Sequence, residues 1–277
     1  MSNALDRNWG RIRRVVAQGG RFLRGTLTAQ HLGRTQVVFV VGCQRSGTSM
    51  MLNILDKSAS IWTFGENHPA IAHRYRLRST ARLRMVTMAM PARWVVYKPL
   101  CDSQWTDRLL ADHRTARALW MYRRPDDVAR SAQVKWADHQ RDVLRRIHVR
   151  DWAALRWRGE RLSEDVIKTV DTHYDPDMSR ASASVLYWWV RNRLFFELGL
   201  DQDARVRLVR YEPLVQDPTS SFRDVFDFLG LMFEDRFVED VHAKSVKTDS
   251  EQDVDPSIAS LANDLLMKLD ACGRPKP

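Results

Sequence analysis

The chain has 277 residues, of which 44% are hydrophobic and 28% charged. That balance excludes a wholly disordered chain, a collagen-like chain and a small disulfide-stapled domain, and the length admits one or two domains. A formal net charge of +10 favours anionic partners: nucleotide, nucleic acid, acidic glycan or membrane surface.

Residues 1–34 hold seven arginines and a single acid, Asp6. Within them, residues 5–30 form a basic amphipathic stretch. Trp9, Ile12, Val16, Leu23 and Leu27 recur at helical steps, and Gly19-Gly20 interrupts the pattern. It reads either as a surface helix on anionic lipid or as a helix packed on the domain with its arginines solvated. No stretch resembles the apolar core of a signal peptide, and none approaches the roughly 20 apolar residues of a membrane span. Cys43, Cys101 and Cys272 are odd in number and widely spaced, which fits a reducing compartment and argues against a structural zinc site.

From Gln36 onward, short apolar or β-branched runs alternate with helical patterns. Residues 37–41, 61–64, 94–98, 118–122 and 205–211 read as strands. Residues 50–55, 104–116 and 126–136 read as the helices between them, so βαβ units and a parallel sheet are expected. The last strand alternates charged and apolar residues and is expected near a sheet edge. Residues 137–180 break the alternation, carry seven arginines between 141 and 161 with Trp152 and Trp157 among them, and read as a helical insertion over one face. Helices are expected again over 182–198, 222–229 (closed by Gly230) and 258–269.

The first strand runs into Gly42-Cys43-Gln44-Arg45-Ser46-Gly47-Thr48-Ser49. A strand, a glycine-bounded turn, two hydroxyls and a helix start make an anion cradle, because successive N–H groups and the helix N-terminus point inward. The nucleotide triphosphatase loop G-x-x-x-x-G-K-[ST] has a lysine where Thr48 stands here, and this loop's cation, Arg45, lies inside it. The loop suits an anion but not Mg-ATP. A second anion site is expected where the fourth strand ends: Arg123, then Pro125 and Asp126 opening a helix with Asp126 as its cap, then Ser131 in its second turn. Both lie at strand carboxyl ends, where open α/β sheets bind ligands.

Gln44-Arg45-Ser46-Gly47-Thr48-Ser49 resembles the 5′-phosphosulfate loop of the sulfotransferases that use 3′-phosphoadenosine-5′-phosphosulfate (PAPS). Arg123-x-Pro125 with Ser131 is similar to that family's 3′-phosphate motif. Arg210-Tyr211-Glu212-Pro213-Leu214 with Phe228-Leu229-Gly230-Leu231 resembles a stretch common in its bacterial and carbohydrate-type members. The matches come in family order over about residues 36–235. The resemblance implies an α/β, P-loop-kinase-like three-layer fold with five parallel strands in the order 2-3-1-4-5. Residues 1–35 then form a basic helical extension by their own pattern, and the resemblance implies one sulfotransferase domain over 36–277. The implied cofactor is PAPS, with adenosine 3′,5′-bisphosphate (PAP) as product and no metal, held by Arg45, Ser46, Gly47, Thr48, Ser49, Arg123, Ser131 and, more loosely matched, Lys247.

The implied reaction moves a sulfuryl group to an acceptor hydroxyl and needs a base, cations on the leaving oxygen and in-line placement. Arg45 and Lys98, at the end of the third strand, are the expected cations. Many cytosolic relatives carry a histidine after that strand; here the residues are Pro99-Leu100-Cys101-Asp102-Ser103. The glycan and tyrosyl types carry a glutamate after the second strand, which matches Glu66. Glu66 is therefore the chosen base, with His68 and Asp102 as alternatives. Trp and Arg within 136–161 suit an anionic sugar or a lipid-linked glycan equally, so the acceptor is expected to be a glycan or glycolipid. The expected setting is a bacterial cytoplasm, with peripheral contact at the inner membrane through residues 5–30. A non-catalytic nucleotide or phosphate binder of the same fold is the alternative reading. A nucleic-acid-binding protein is a further one, although no nucleic-acid module appears and no specific nucleic-acid partner is expected.

Overall fold

The structure, a computed structural model, describes residues 35–241 and 252–273; the basic stretch 5–30 and Lys247 lie outside the described residues. In chain order, β1 (Gln36–Gly42) leads into α1 (Thr48–Leu55), and β2 (Ile61–Phe64) follows. A short antiparallel hairpin, Ala72–His73 with Arg76–Leu77, precedes α2 (Thr80–Ala89) and β3 (Trp94–Tyr97). A 3₁₀ segment, Leu100–Trp105, continues into α3 (Thr106–Asp112), then come β4 (Arg117–Tyr122) and α4 (Pro125–Trp136). The segment after it contains α5 (His139–His148), a single turn at Trp152–Leu155, a 3₁₀ turn at Arg156–Gly159 and α6 (Glu164–His173). Then follow α7 (Arg180–Glu197), β5 (Val206–Arg210), α8 (Tyr211–Gln216), α9 (Pro218–Leu229) and α10 (Pro256–Gly273).

The five strands form one parallel sheet in the order β2-β3-β1-β4-β5. β1 is central, so its residues are buried on both faces. Val37, Phe39 and Val41 join a core with Trp120, Trp188, Phe195 and Leu265. Val38 and Val40 join another with Met51, Leu55, Phe222 and Phe226. This period-two split explains the unbroken apolar run of β1 and gives helix, sheet and helix layers. Each such buried aliphatic or Phe side chain contributes roughly 1.5–3 kcal/mol. α7 is almost wholly buried because α4, α5, α6 and α10 pack against it as well as the sheet.

Among the boundaries that differ from the sequence reading, three have a clear physical cause. α1 begins at Thr48, because Gly47 takes the left-handed conformation at φ 84° and ends the loop one step before the helix. The helix expected over 104–116 is a 3₁₀ segment followed by a short helix; Ser103 is pinned by its hydroxyl, which accepts from the Gly42 N–H at 3.1 Å, and this holds the segment against the end of β1. Asp126 does not cap α4. Arg124 occupies the cap position without a side-chain bond, Pro125 opens the helix, and the Arg124 N–H donates to Glu212 at 2.8 Å.

None of the three cysteines forms a disulfide; Cys43 and Cys101 are buried and Cys272 is exposed. Burial pushes the Cys43 thiol up to about 12 and that of Cys101 up to about 11. One thiol per chain, Cys272, should therefore react with a disulfide reagent at pH 8 in the native protein, and all three in denaturant. Fast native labelling of Cys43 would show that the end of β1 opens in solution.

Candidate functional site

The loop after β1 is bent by backbone conformations that side chains disfavour. Gly42 has φ 112°, Arg45 φ 68° and Gly47 φ 84°. A Cβ at Gly42 would lie 2.3 Å from the carbonyl oxygen of Met121, and one at Gly47 would lie 2.3 Å from the Tyr211 ring. Glycine is required at both positions by close approach as well as by φ. Tyr211 in turn lies beneath Arg123, whose guanidinium carbon is 4.3 Å from the ring centroid. The loop, the end of β4 and the end of β5 thus meet around one aromatic ring.

A cavity of about 1200 Å³ opens at these strand ends. Arg45, Gly47, Thr48, Ser49, Glu66, Lys98, Arg123 and Ser131 all line it, while Ser46 is fully buried and does not. Lys98 is 7% exposed; its Nζ donates to Ser49 Oγ at 3.0 Å and lies 3.7 Å from Glu66 Oε1. The second strand, the third strand and the loop therefore each contribute one member of a contiguous Glu66–Lys98–Ser49 group. On the other side, Arg45 Nε donates to Ser131 Oγ at 2.9 Å. The sequence placed Arg45 with the loop and Ser131 with the second anion site; the structure joins the two sites into one.

The charge of the cavity is one-sided. Eight lysines and arginines line it against two carboxylates, Glu66 and Glu160. Burial first, and the Arg123 charge second, push the Arg45 guanidinium below its ordinary pKa. Desolvating one guanidinium beside another favours an anion between them.

Of the three candidate bases only Glu66 lines the cavity. Both oxygens of Asp102 are engaged, accepting from Arg76 Nε at 2.7 Å and from the Leu77 N–H at 2.8 Å, so it anchors the hairpin. His68 is exposed, its Nδ1 accepts from the Ala70 N–H at 3.3 Å, and partial burial lowers its pKa. The sequence reading missed Arg74, Tyr75, Arg76 and Glu160, which wall the cavity opposite the loop. No turn signal such as Asn-Gly marks residues 72–77, so this hairpin left no trace in the pattern. Among the described residues, no group of three or more His, Cys, Asp or Glu is placed to hold a metal ion.

A parallel sheet with a glycine-bounded anion loop at its centre and a cationic cavity at its strand ends defines an α/β group-transfer domain that takes a phosphorylated nucleotide. Residues 35–254 match the sulfotransferase domain family model, and the chain belongs to that family. It is a PAPS-dependent sulfotransferase. Among solved structures, it is similar to the sulfotransferase domain from the curacin biosynthetic pathway: 16% identity, 85% of this chain and 98% of that one covered, TM-score 0.48. The sulfotransferase domain of the Synechococcus PCC 7002 olefin synthase is 14% identical over 90% of this chain and 98% of its own, with TM-score 0.41. A sulfotransferase from Mycobacterium avium is 11% identical over 93% of this chain and 77% of its own, with TM-score 0.41. No curated protein matches the chain.

Gly47→Ala should weaken PAP binding without unfolding the sheet. The added methyl must displace Tyr211 from beneath Arg123, and αL strain adds about 1–3 kcal/mol. Titration calorimetry should show a roughly 5- to 150-fold loss of affinity. Unchanged affinity would mean that the loop does not hold the nucleotide.

Proposed function

We propose that the enzyme moves the sulfuryl group of PAPS to a hydroxyl of a glycan or glycolipid by in-line displacement, with Glu66 as the base. The observation that carries this reading is the Lys98 ammonium, held between Ser49 of the anion loop at 3.0 Å and the Glu66 carboxylate at 3.7 Å. A cation for the leaving oxygen and a base for the attacking one stand side by side at one edge of the loop.

In this reading the backbone of residues 45–49 and the hydroxyls of Thr48 and Ser49 hold the 5′-phosphosulfate. Arg123 and Ser131 hold the 3′-phosphate, with Lys247 closing over the nucleotide. The acceptor hydroxyl gives its proton to Glu66 as its oxygen bonds to sulfur. The bond from sulfur to the bridging phosphate oxygen breaks, and the charge left on PAP is met by Lys98 from one side and Arg45 from the other. A preformed pair of cations requires no rearrangement as that charge appears. The strand order and the position of the loop after the central strand support kinship with the P-loop kinases. Trp136 in the cavity wall and the half-exposed Tyr75 support a sugar-bearing acceptor, since aromatic faces pack on ring faces. For the setting we propose a bacterial cytoplasm with residues 5–30 on the inner membrane surface, supported by the arginine-rich amphipathic pattern.

PAP should raise the melting temperature, because it binds the folded state alone, and Mg-ATP should do so far less. Equal shifts would favour a kinase-like or general phosphate-binding reading.

For the base, Glu66→Gln keeps size and hydrogen bonding but takes up no proton. Turnover should fall roughly 10²- to 10⁴-fold with PAP affinity nearly unchanged, and His68→Asn should stay close to wild type. A near-normal Glu66→Gln enzyme beside a dead His68→Asn one would exchange the two roles.

A further inference from the structure

The hairpin between β2 and α2 is an unusual use of sequence. Its strands pair Ala72 with Leu77 and His73 with Arg76, leaving Arg74 and Tyr75 as a two-residue turn. Their φ angles are 49° and 66°, the left-handed pair of a type I′ turn, which Asn-Gly fills with little strain. An arginine and a tyrosine here hold the turn at a disadvantage. Both side chains line the cavity, and Tyr75 is 51% exposed.

The turn is held from below. Asp102 takes Arg76 Nε and the Leu77 N–H, while Glu160 takes Arg76 Nη1 at 2.7 Å and Trp105 Nε1 at 2.7 Å. Glu160 directly follows the 3₁₀ turn that carries Arg156 and Arg158 into the same cavity. Arg156 also sits at positive φ, 52°. Strained backbone that is over-determined by its surroundings collects where side chains must be presented to a ligand. Of the seven non-glycine residues at positive φ among the described residues, four (Arg45, Arg74, Tyr75 and Arg156) line this one cavity.

Charge separates structural from recognition arginines in this wall. Arg76, in the middle, is spanned by two carboxylates. Arg74, Arg156 and Arg158 have no carboxylate within ion-pair distance among the described residues. Arg158 lies over the Trp157 ring at 4.5 Å. Three guanidiniums without counter-charge around one opening repel one another and are relieved by an anion that takes their forked donors.

We infer that the Arg74-Tyr75 tip, together with Arg156 and Arg158, reads an acceptor that carries its own anionic group, a carboxylate, phosphate or sulfate, near the accepting hydroxyl. The inference rests on the sulfuryl-transfer reading and names its acceptor class. The anion sits among the three guanidiniums, Tyr75 faces the ring, and the hydroxyl is left toward Glu66.

The test uses the full chain with PAPS and four sugars at equal concentration: methyl glucoside, glucuronate, glucose 6-phosphate and glucose 6-sulfate. PAP release is the readout. The charged sugars should exceed the neutral one at least tenfold in kcat/KM, and the three charged arms show which anion fits. In an R74N/Y75G double variant the turn is relaxed, so the melting temperature should rise, PAP affinity should hold, and the charged-to-neutral ratio should collapse toward one. An R156A/R158A variant should lose the ratio as well, independently of hairpin folding. A wild-type ratio near one, or a ratio that survives both variants, overturns the inference. If no sugar is turned over, the melting temperature of the PAP-loaded protein decides: glucuronate or glucose 6-phosphate must raise it in wild type and not in the variants, and no such rise overturns the inference. Failure of PAP itself to bind would instead remove the sulfuryl-transfer reading.

Discussion

The site depends on the backbone of β1 coming into contact with two neighbours at once. Gly42 touches the carbonyl of Met121 on β4, and Gly47 touches the ring of Tyr211 just after β5. The loop between them therefore has no freedom to drift, and its N–H groups and hydroxyls are fixed relative to Arg123. Tyr211 is fixed in turn by its neighbours. Glu212 accepts from the Arg124 N–H at 2.8 Å and from Arg210 Nε at 3.0 Å, and Arg210 reaches Asp270 of α10. Tyr122 donates to the other oxygen of Asp270 at 2.9 Å. A carboxylate as buried as Glu212, 5% exposed, would be strongly destabilising if unpaired; with both oxygens bonded it locks the ends of β4 and β5 together.

The electrostatics follow from that frame. Cations arrive at the cavity from the loop, from β3, from β4, from the hairpin and from the turn before Glu160. Among the described residues lining the cavity two are carboxylates, Glu66 and Glu160, and each is committed differently. Glu66 faces Lys98 at 3.7 Å, a loose contact with room for a hydroxyl beside it. Glu160 takes Arg76, Gln104 and Trp105 at 2.7–2.9 Å, and these donors hold its charge so firmly that its pKa falls below the usual carboxylate range despite burial. A carboxylate with three close donors is a poor base, because its proton affinity has been lowered by the groups it binds. On the proposed reading, Glu160 is the structural carboxylate and Glu66 the one left to accept a proton.

Much of this frame was legible in the sequence. All five sheet strands agree with the apolar runs to within a residue, because a parallel sheet buried on both faces needs continuous apolar segments. The loop was legible because its glycines and hydroxyls have few other uses at that spacing. What escaped was tertiary. The 3₁₀ segment after β3 is set by Ser103 bonding to Gly42, 61 residues away. Asp126 reads as a cap from its neighbours, yet the Val128 N–H that such a cap would meet donates instead to the Arg124 carbonyl at 3.1 Å, one turn back. The hairpin tip was invisible because Arg74-Tyr75 is a poor turn sequence, and turn signals detect only sequences that favour the turn.

That last failure is informative about the molecule. Natural sequences mostly agree with their local conformation, and disagreement concentrates where side-chain identity matters more than backbone ease. Arg45 shows the same conflict inside the anion loop, at φ 68°, where a glycine would fit with less strain. Its guanidinium bonds Ser131 on α4 and lies 5.8 Å from the Trp136 ring centroid on the same helix. α4 therefore runs from the second anion position at Ser131 to the aromatic wall at Trp136, and Arg45 touches both. From its strained position the Arg45 side chain spans from the loop after β1 to the helix hydroxyl and the wall beyond it. In both strained places, the loop and the hairpin, the residue retained is one whose charge points into the same cavity.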